Sequence, residues 1–215
     1  MRAVSEEVAE LFSAKYSIPG WCPESKAQEL AKIVVARQPK LCAEVGVFGG
    51  KSLFPMALAC RANGGGRVIG IDPWNPLASQ EGYSGINAEW WGKLDHEGIY
   101  QSFLANLQLL GLGQWVEVRR MKSEEFKPTQ PLDLLHLDGQ HTEAAVREIR
   151  RFTPHVPLGG VVILDDLGWQ NDGQFPIAEA VKLLLTLGFR ELSRTKLPTG
   201  EEWGVFEKVN EPDCI

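Results

Sequence analysis

Two short segments concentrate groups that could do chemistry. Leu137-Asp138-Gly139-Gln140-His141 and Leu164-Asp165-Asp166 each place carboxylates directly after an apolar run. In an open parallel sheet the carboxyl ends of neighbouring strands share one edge, and ligands bind there. Asp138, Asp165, Asp166 and His141 are therefore expected on one rim. Carboxylates that close repel one another unless a cation lies between them. Hard oxygen ligands left partly open to water suit Mg²⁺, with Mn²⁺ or Ca²⁺ as other choices. The expectation is a divalent site on Asp138, Asp165 and Asp166. The plainer alternative is that Asp165 or Asp166 caps the following segment, a position Asp favours.

An imidazole with an ordinary pKa near ~6.5 can accept a proton at neutral pH without special burial. His141 is thus the candidate general base, with metal ligand or helix-start residue as the alternatives. His136 lies inside an apolar run and reads as a packed, hydrogen-bonded core residue, while His96 sits in a Trp-rich stretch and could meet a substrate.

A third segment reads Glu44-Val-Gly46-Val-Phe48-Gly49-Gly50-Lys-Ser52. Glycines between a strand and a helix let the backbone turn sharply and approach a ligand closely. Asp72 ends the next apolar run, 26 residues after Gly46, where a carboxylate can accept both ribose hydroxyls of an adenosine. The spacing is not G-x-G-x-x-G, and an acid just before the first glycine offers little to a pyrophosphate. It suits a ligand carrying an amino group and a sulfonium better. A turn serving packing alone is the other reading.

The elements that must position these groups alternate. Candidate strands are 41–47, 67–71, 116–119, 132–137 and 161–164, and helices fall at about 52–61, 99–110, 143–152 and 177–187. Apolar strands between helices imply a parallel sheet covered on both faces. A last pair, 189–194 and 203–208, is joined by Pro-Thr-Gly and reads as an antiparallel hairpin. The fold class is α/β, a Rossmann-like seven-stranded, mostly parallel sheet. Residues 1–40 read as a helical cap, with helices from Ser5 to about Tyr16 and from Glu24 to Arg37, preceding a domain over 41–215. Residues 73–98 are rich in Gly and Pro and carry Trp74, Trp90 and Trp91. A loop this long inside a compact domain is usually functional or disordered, and its aromatic content suggests a lid or pocket wall, with a plain surface excursion as the alternative. With Trp169 it would face a flat or sugar-like ligand.

Composition limits the partners. A formal charge of −6 over 215 residues lacks the basic face a nucleic-acid binder needs. No run approaches the ~20 apolar residues of a membrane span, and the N-terminus has no secretory signal. Cys22, Cys42, Cys60 and Cys214 form no C-x-x-C pair, so zinc and redox motifs have no support and reduced thiols fit a cytoplasmic protein. A homodimer exchanging its N-terminal helices is an open option.

The Glu44–Ser52 segment resembles the first motif of class I S-adenosylmethionine (SAM)-dependent methyltransferases. It is particularly similar to the catechol and caffeoyl-CoA O-methyltransferase group and to macrocin O-methyltransferase-like enzymes. The likeness runs over about residues 41–209, terminal hairpin included. It implies that Glu44 and Gly46 line the methionine end of SAM, that Ser52 binds its carboxylate, that Asp72 holds the ribose and that Ser123 lies near the adenine. Phe48 and Asp138 join this cofactor-binding set. It also implies the divalent ion, Mg²⁺ foremost, on Asp138, Asp165 and Asp166. Those enzymes carry a lysine base three residues after the first Asp, where this chain has His141. The implied activity is methylation of a small-molecule hydroxyl (a phenol, a sugar or a natural product), with metal and His141 activating the oxygen. The competing readings are a metal-independent methyltransferase, an NAD-dependent oxidoreductase sustained by Asp72, and a SAM-binding or assembly protein without turnover.

Overall fold

The computed structural model describes residues 3–170 and 175–211. Five short strands form the parallel part of the sheet: β1 Leu41–Val45, β2 Arg67–Asp72, β3 Val116–Arg120, β4 Leu134–Leu137 and β5 Val161–Leu164. The hairpin strands β6 Phe189–Lys196 and β7 Glu202–Lys208 complete seven strands in the order β3-β2-β1-β4-β5-β7-β6. β7 runs antiparallel to both of its neighbours. Every residue of β1, β4 and β5 is buried, which is why these strands are apolar but for Glu44 and His136 rather than alternating. The expected Rossmann-like sheet with an antiparallel C-terminal strand is the one found.

The helices are α1 Val4–Leu11, α2 Glu24–Arg37, α3 Leu53–Asn63, α4 Pro76–Gln80, α5 Gly85–Lys93, α6 His96–Leu109, α7 Ala144–Phe152 and α8 Pro176–Thr186. One apolar layer joins α1, α2, α3 and α6 to a sheet face through Val8, Leu30, Phe54 and Phe103. The other joins α7 and α8 to the opposite face through Ile149, Phe152 and Leu184. Val45 pairs with Leu137, and Leu137 with Leu164. The strand ends are level, so Gly46, Asp138 and Asp165, each the next residue along, meet at one edge.

Beyond shifts of two or three residues at several other ends, three differences from expectation stand out. α1 stops at Leu11 rather than near Tyr16, with Phe12 as its C-cap and the Ser13 hydroxyl donating to the Glu10 carbonyl at 2.6 Å. That side chain competes with the backbone for the carbonyl. β1 ends at Val45, because Gly46 turns away. Residues 73–98 are not a loop but largely helical. Asn75 accepts from the backbone N–H of Leu77 and Ala78 at 2.9 and 3.1 Å, and Pro76 opens α4. Asp95 caps α6 through Gly98 N–H at 2.9 Å. Cap residue plus Pro at the first helical position is a helix-start signal that the Gly and Pro content obscured. No helix among the described residues is long and apolar enough to cross a membrane.

Candidate active site

A cavity of about 800 Å³ opens at the level strand ends. One wall is the turn after β1. Gly46 has φ +86°, and a Cβ there would stand 2.0 Å from the Asp138 carbonyl oxygen, so only glycine lets β1 and β4 close up. Phe48 has φ +51°, a left-handed conformation costing a bulky residue of order 1–2 kcal/mol. Such strain persists where surroundings impose it, commonly at ligand sites. Here Asp72 imposes it: its carboxylate accepts from the N–H groups of Val47 at 3.0 Å, Phe48 at 2.9 Å and Trp74 at 2.7 Å. Burial raises the Asp72 carboxyl above the ordinary value, and those backbone bonds oppose the rise. Asp72 also lines the cavity.

Glu44 stands elsewhere than expected. Its carboxylate is fully buried behind the wall, accepts from Ser52 Oγ at 2.6 Å and lies 3.5 Å from His136 Nδ1. It orients Ser52, which lines the cavity, rather than facing a ligand itself. Its side chain shares the β1 face with Cys42, turned toward α3, and strand alternation decides this. His136 is fully buried as expected, but neither ring nitrogen is hydrogen-bonded within the described residues.

Asp138, Asp165, Asp166 and His141 do converge on the cavity. Their partners were not foreseen. Lys26, 1% exposed, reaches in from α2, its ammonium pairing with Asp165 and standing 3.4 Å from Asp138 Oδ2. His141 Nε2 lies 3.0 Å from Asp166 Oδ2 and 3.7 Å from Asp138 Oδ1. The carboxylates of Asp165 and Asp166 thus go to these cations, not to a helix cap. Burial works to raise the Asp138 carboxyl, but Lys26, then His141 and His136, hold it well below the usual carboxylate range. Burial likewise works to lower the His141 imidazole, but Asp138 and Asp166 outweigh it and lift the ring to about 9. Read from the sequence as an ordinary imidazole, His141 is thus biased toward its protonated form by two carboxylates, although its buried Nε2 makes no aligned hydrogen bond among the described residues. Asp166 itself sits at φ +53°, a conformation Asp tolerates better than most residues, and this aims its carboxylate back at the ring.

Asp138, His141 and Asp166 bring ligand atoms within 4.8 Å of one another, as do His136, Asp138 and Asp165, but the divalent ion expected on Asp138, Asp165 and Asp166 fits less well. Two of its three expected ligands already face a buried ammonium. Unit charges 4 Å apart interact by ~4 kcal/mol at an effective dielectric of 20, so a divalent ion so near Lys26 would meet roughly twice that repulsion.

Aromatic side chains extend the wall beside Phe48. Trp21 lies 5.2 Å from Phe48 and 5.5 Å from Trp90, and Trp90 meets Trp91 edge-on at 5.0 Å. Trp169 approaches His141 at 5.6 Å. Trp74, expected in this wall, belongs to the core, 2% exposed and stacked on Phe103, with Nε1 donating to the Phe48 carbonyl at 2.8 Å. His96 lines the cavity, its Nε2 2.9 Å from the Trp91 carbonyl oxygen. At the cavity's other end Ser123 Oγ donates to Glu148 at 2.7 Å. Burial pushes that acid up to about 7, the Ser123 bond opposing. Tyr83 accepts the His141 backbone N–H at 3.0 Å, and burial pushes its phenol to about 12.

Sequence reasoning missed Lys26, Glu148, Tyr83 and Trp21. Two of them carried a signal. Lys26 falls four residues before Leu30 on the buried stripe of α2, and Glu148 lies among Ala144, Ala145, Ile149 and Phe152 on that of α7. A charged residue on an apolar helix face needs a partner inside.

The sequence profile described as "Methyltransferase domain" matches residues 43–167, from β1 to just beyond Asp166. No curated protein matches the sequence significantly. Similar solved structures include an O-methyltransferase from Bacillus cereus in complex with SAH, 18% identical with a TM-score of 0.68, covering 98% of this chain and 92% of that one. TomG from Streptomyces achromogenes, an O-methyltransferase of tomaymycin synthesis in complex with SAM, is 13% identical with a TM-score of 0.64 over 98% and 91%. SAH-bound PaMTH1 from Podospora anserina is 12% identical with a TM-score of 0.62 over 98% and 89%. These likenesses concern the fold, and the profile match concerns the family: this chain belongs to the methyltransferase-domain family, in its class I, Rossmann-like form.

Proposed function

We propose that this protein is a SAM-dependent O-methyltransferase acting on a hydroxyl of a small molecule. The observation that carries the reading is one continuous cavity with the Gly46–Ser52 turn and Asp72 at one side and the Asp138–His141–Asp166 group at the other. The SAM- and SAH-bound neighbours of the same fold support it. The residues fit the cofactor: a tight turn at Gly46 that any Cβ would push away from Asp138, the Asp72 carboxylate at the cavity for ribose hydroxyls, and Ser52 lining the end proposed for the amino acid. SAM, when bound, supplies a methyl group on a positively charged sulfur. Gly46, Phe48 and Ser52 would hold its methionine end, Asp72 its ribose, and Ser123 with Glu148 its adenine end.

The acceptor, a phenol, a sugar hydroxyl or a related alcohol, would lie against Trp21, Trp90 and Trp91 with its oxygen toward His141. That ring is the group placed to take the acceptor's proton. It rests protonated, so it must first release its own proton, which leaves ~1% neutral ring at pH 7 for a pKa of about 9. Asp166 then stabilises the imidazolium formed on transfer. The aromatic wall excludes water and helps hold oxygen and methyl in line. No step is assigned to Mg²⁺, and the reading without a divalent ion is favoured by Lys26 on Asp138 and Asp165.

Calorimetric titration with SAH tests the proposal. The wild type should bind it and NAD should not compete. Gly46→Ala should lose binding, because the added methyl meets the Asp138 carbonyl oxygen. A wild-type chain that ignores SAH would refute the reading.

A further inference from the structure

Lys26 lies outside the set proposed to hold the methyl donor, yet it is built into the acidic rim. Pro23 ends the preceding loop, and α2 begins at Glu24, which puts Lys26 in the first turn. Ala27, Leu30, Ala31 and Val34 bury the same side of the helix in the apolar layer over the sheet. The helix is thereby fixed, and the lysine head reaches the ends of β4 and β5. There it meets Asp165 and Asp138, partners 139 and 112 residues away in sequence. All three residues line the cavity.

A buried ion pair is a poor stabilising device, since apolar residues of similar volume usually do as well or better. Its place at a ligand-binding strand edge therefore asks for another explanation. Three carboxylates at one rim need compensation, and this rim has it from two cations of the chain itself, Lys26 for Asp138 and Asp165, His141 for Asp166.

We infer that Lys26 is a resident cation that stands in for a divalent metal, fixing the two strand-end carboxylates so that the rim works without a metal ion. The inference deepens the methyltransferase reading and rests on it for its catalytic meaning. Lys26 acts through Asp138 and Asp165 and is a positioning residue. It keeps Asp138 ionised and oriented toward His141, and it leaves the acceptor side of the rim to Asp166 and the ring. The single charge, carried on a helix, cannot be removed by a chelator.

The experiment is a Mn²⁺ titration of the full chain followed by the electron paramagnetic resonance signal of free Mn²⁺. The wild type should show no saturable site at millimolar Mn²⁺. Lys26→Met keeps the apolar stem and removes the charge, so it should gain a site, and Lys26→Met with Asp165→Asn should lose it again. On an accepted hydroxyl substrate, wild-type turnover should be unchanged by EDTA. Lys26→Met should lose at least tenfold in kcat, with SAH affinity within threefold, and recover part of the loss on adding Mn²⁺. Tight wild-type Mn²⁺ binding abolished by Asp138→Asn would overturn the inference, as would a folded Lys26→Met that gains no site. Should Lys26→Met fail to fold, the wild-type titration alone decides. If SAH does not bind, the methyltransferase reading fails, while the Mn²⁺ arms still judge Lys26.

Discussion

Glu148 offers a test of the cavity's electrostatics that needs no substrate. It lies on the buried stripe of α7 with Ser123 donating to its carboxylate at 2.7 Å. Burial raises the acid from an ordinary 4.5 to about 7 in the folded chain. The folded state therefore binds more protons than the unfolded state between those values. The stabilisation linked to this proton is complete below pH 4.5 and is lost as pH rises through about 7. With about 1.4 kcal/mol per pKa unit, the loss between pH 5 and pH 8 comes to about 2.5 kcal/mol. Glu148→Gln keeps the shape and can still accept from Ser123, but it does not titrate. Urea unfolding of both proteins at pH 5, 6, 7 and 8 isolates the effect, because all other groups titrate alike in the pair. The variant should gain about 2.5 kcal/mol on the wild type across that range. A difference that stays flat within about 0.5 kcal/mol would show that Glu148 is an ordinary carboxylate, and the effect of burial ascribed to it would be wrong.

Two further outcomes follow from the site. His141→Ala should cut kcat by roughly 10²–10⁴ while SAH affinity in calorimetry stays within about threefold, and wild-type kcat should climb with pH toward about 9 as the imidazolium gives up its proton. Near-normal turnover in the variant would remove the ring from the role of base. Trp21→Ala should raise the acceptor KM by about three- to tenfold, as expected for one lost aromatic contact, with little change in SAH affinity. An equal loss for both ligands would place Trp21 on the cofactor instead.

Much of this protein is determined locally. A run such as Val161–Leu164 is apolar because both of its faces are covered, and that requirement is written in the run itself. Given a parallel sheet with level ends, Asp138, Asp165, Asp166 and the Gly46 turn must come to one edge, and they do. Helix starts at 73–98 were legible too, in Asn75-Pro76 and Asp95, but Gly and Pro obscured them.

What only the tertiary structure decided is charge and facing. Whether Glu44 meets a ligand or supports Ser52 depends on which side of β1 carries α3. The ionisation of His141 depends on Asp166, in another segment, being turned toward it by its own left-handed backbone. The cation at the rim arrives on a helix more than a hundred residues away in sequence. A carboxylate's position follows from its strand, but its counter-ion is chosen by how helices dock. Docking is set by apolar faces meeting across the whole chain, and no local pattern of residues contains that information.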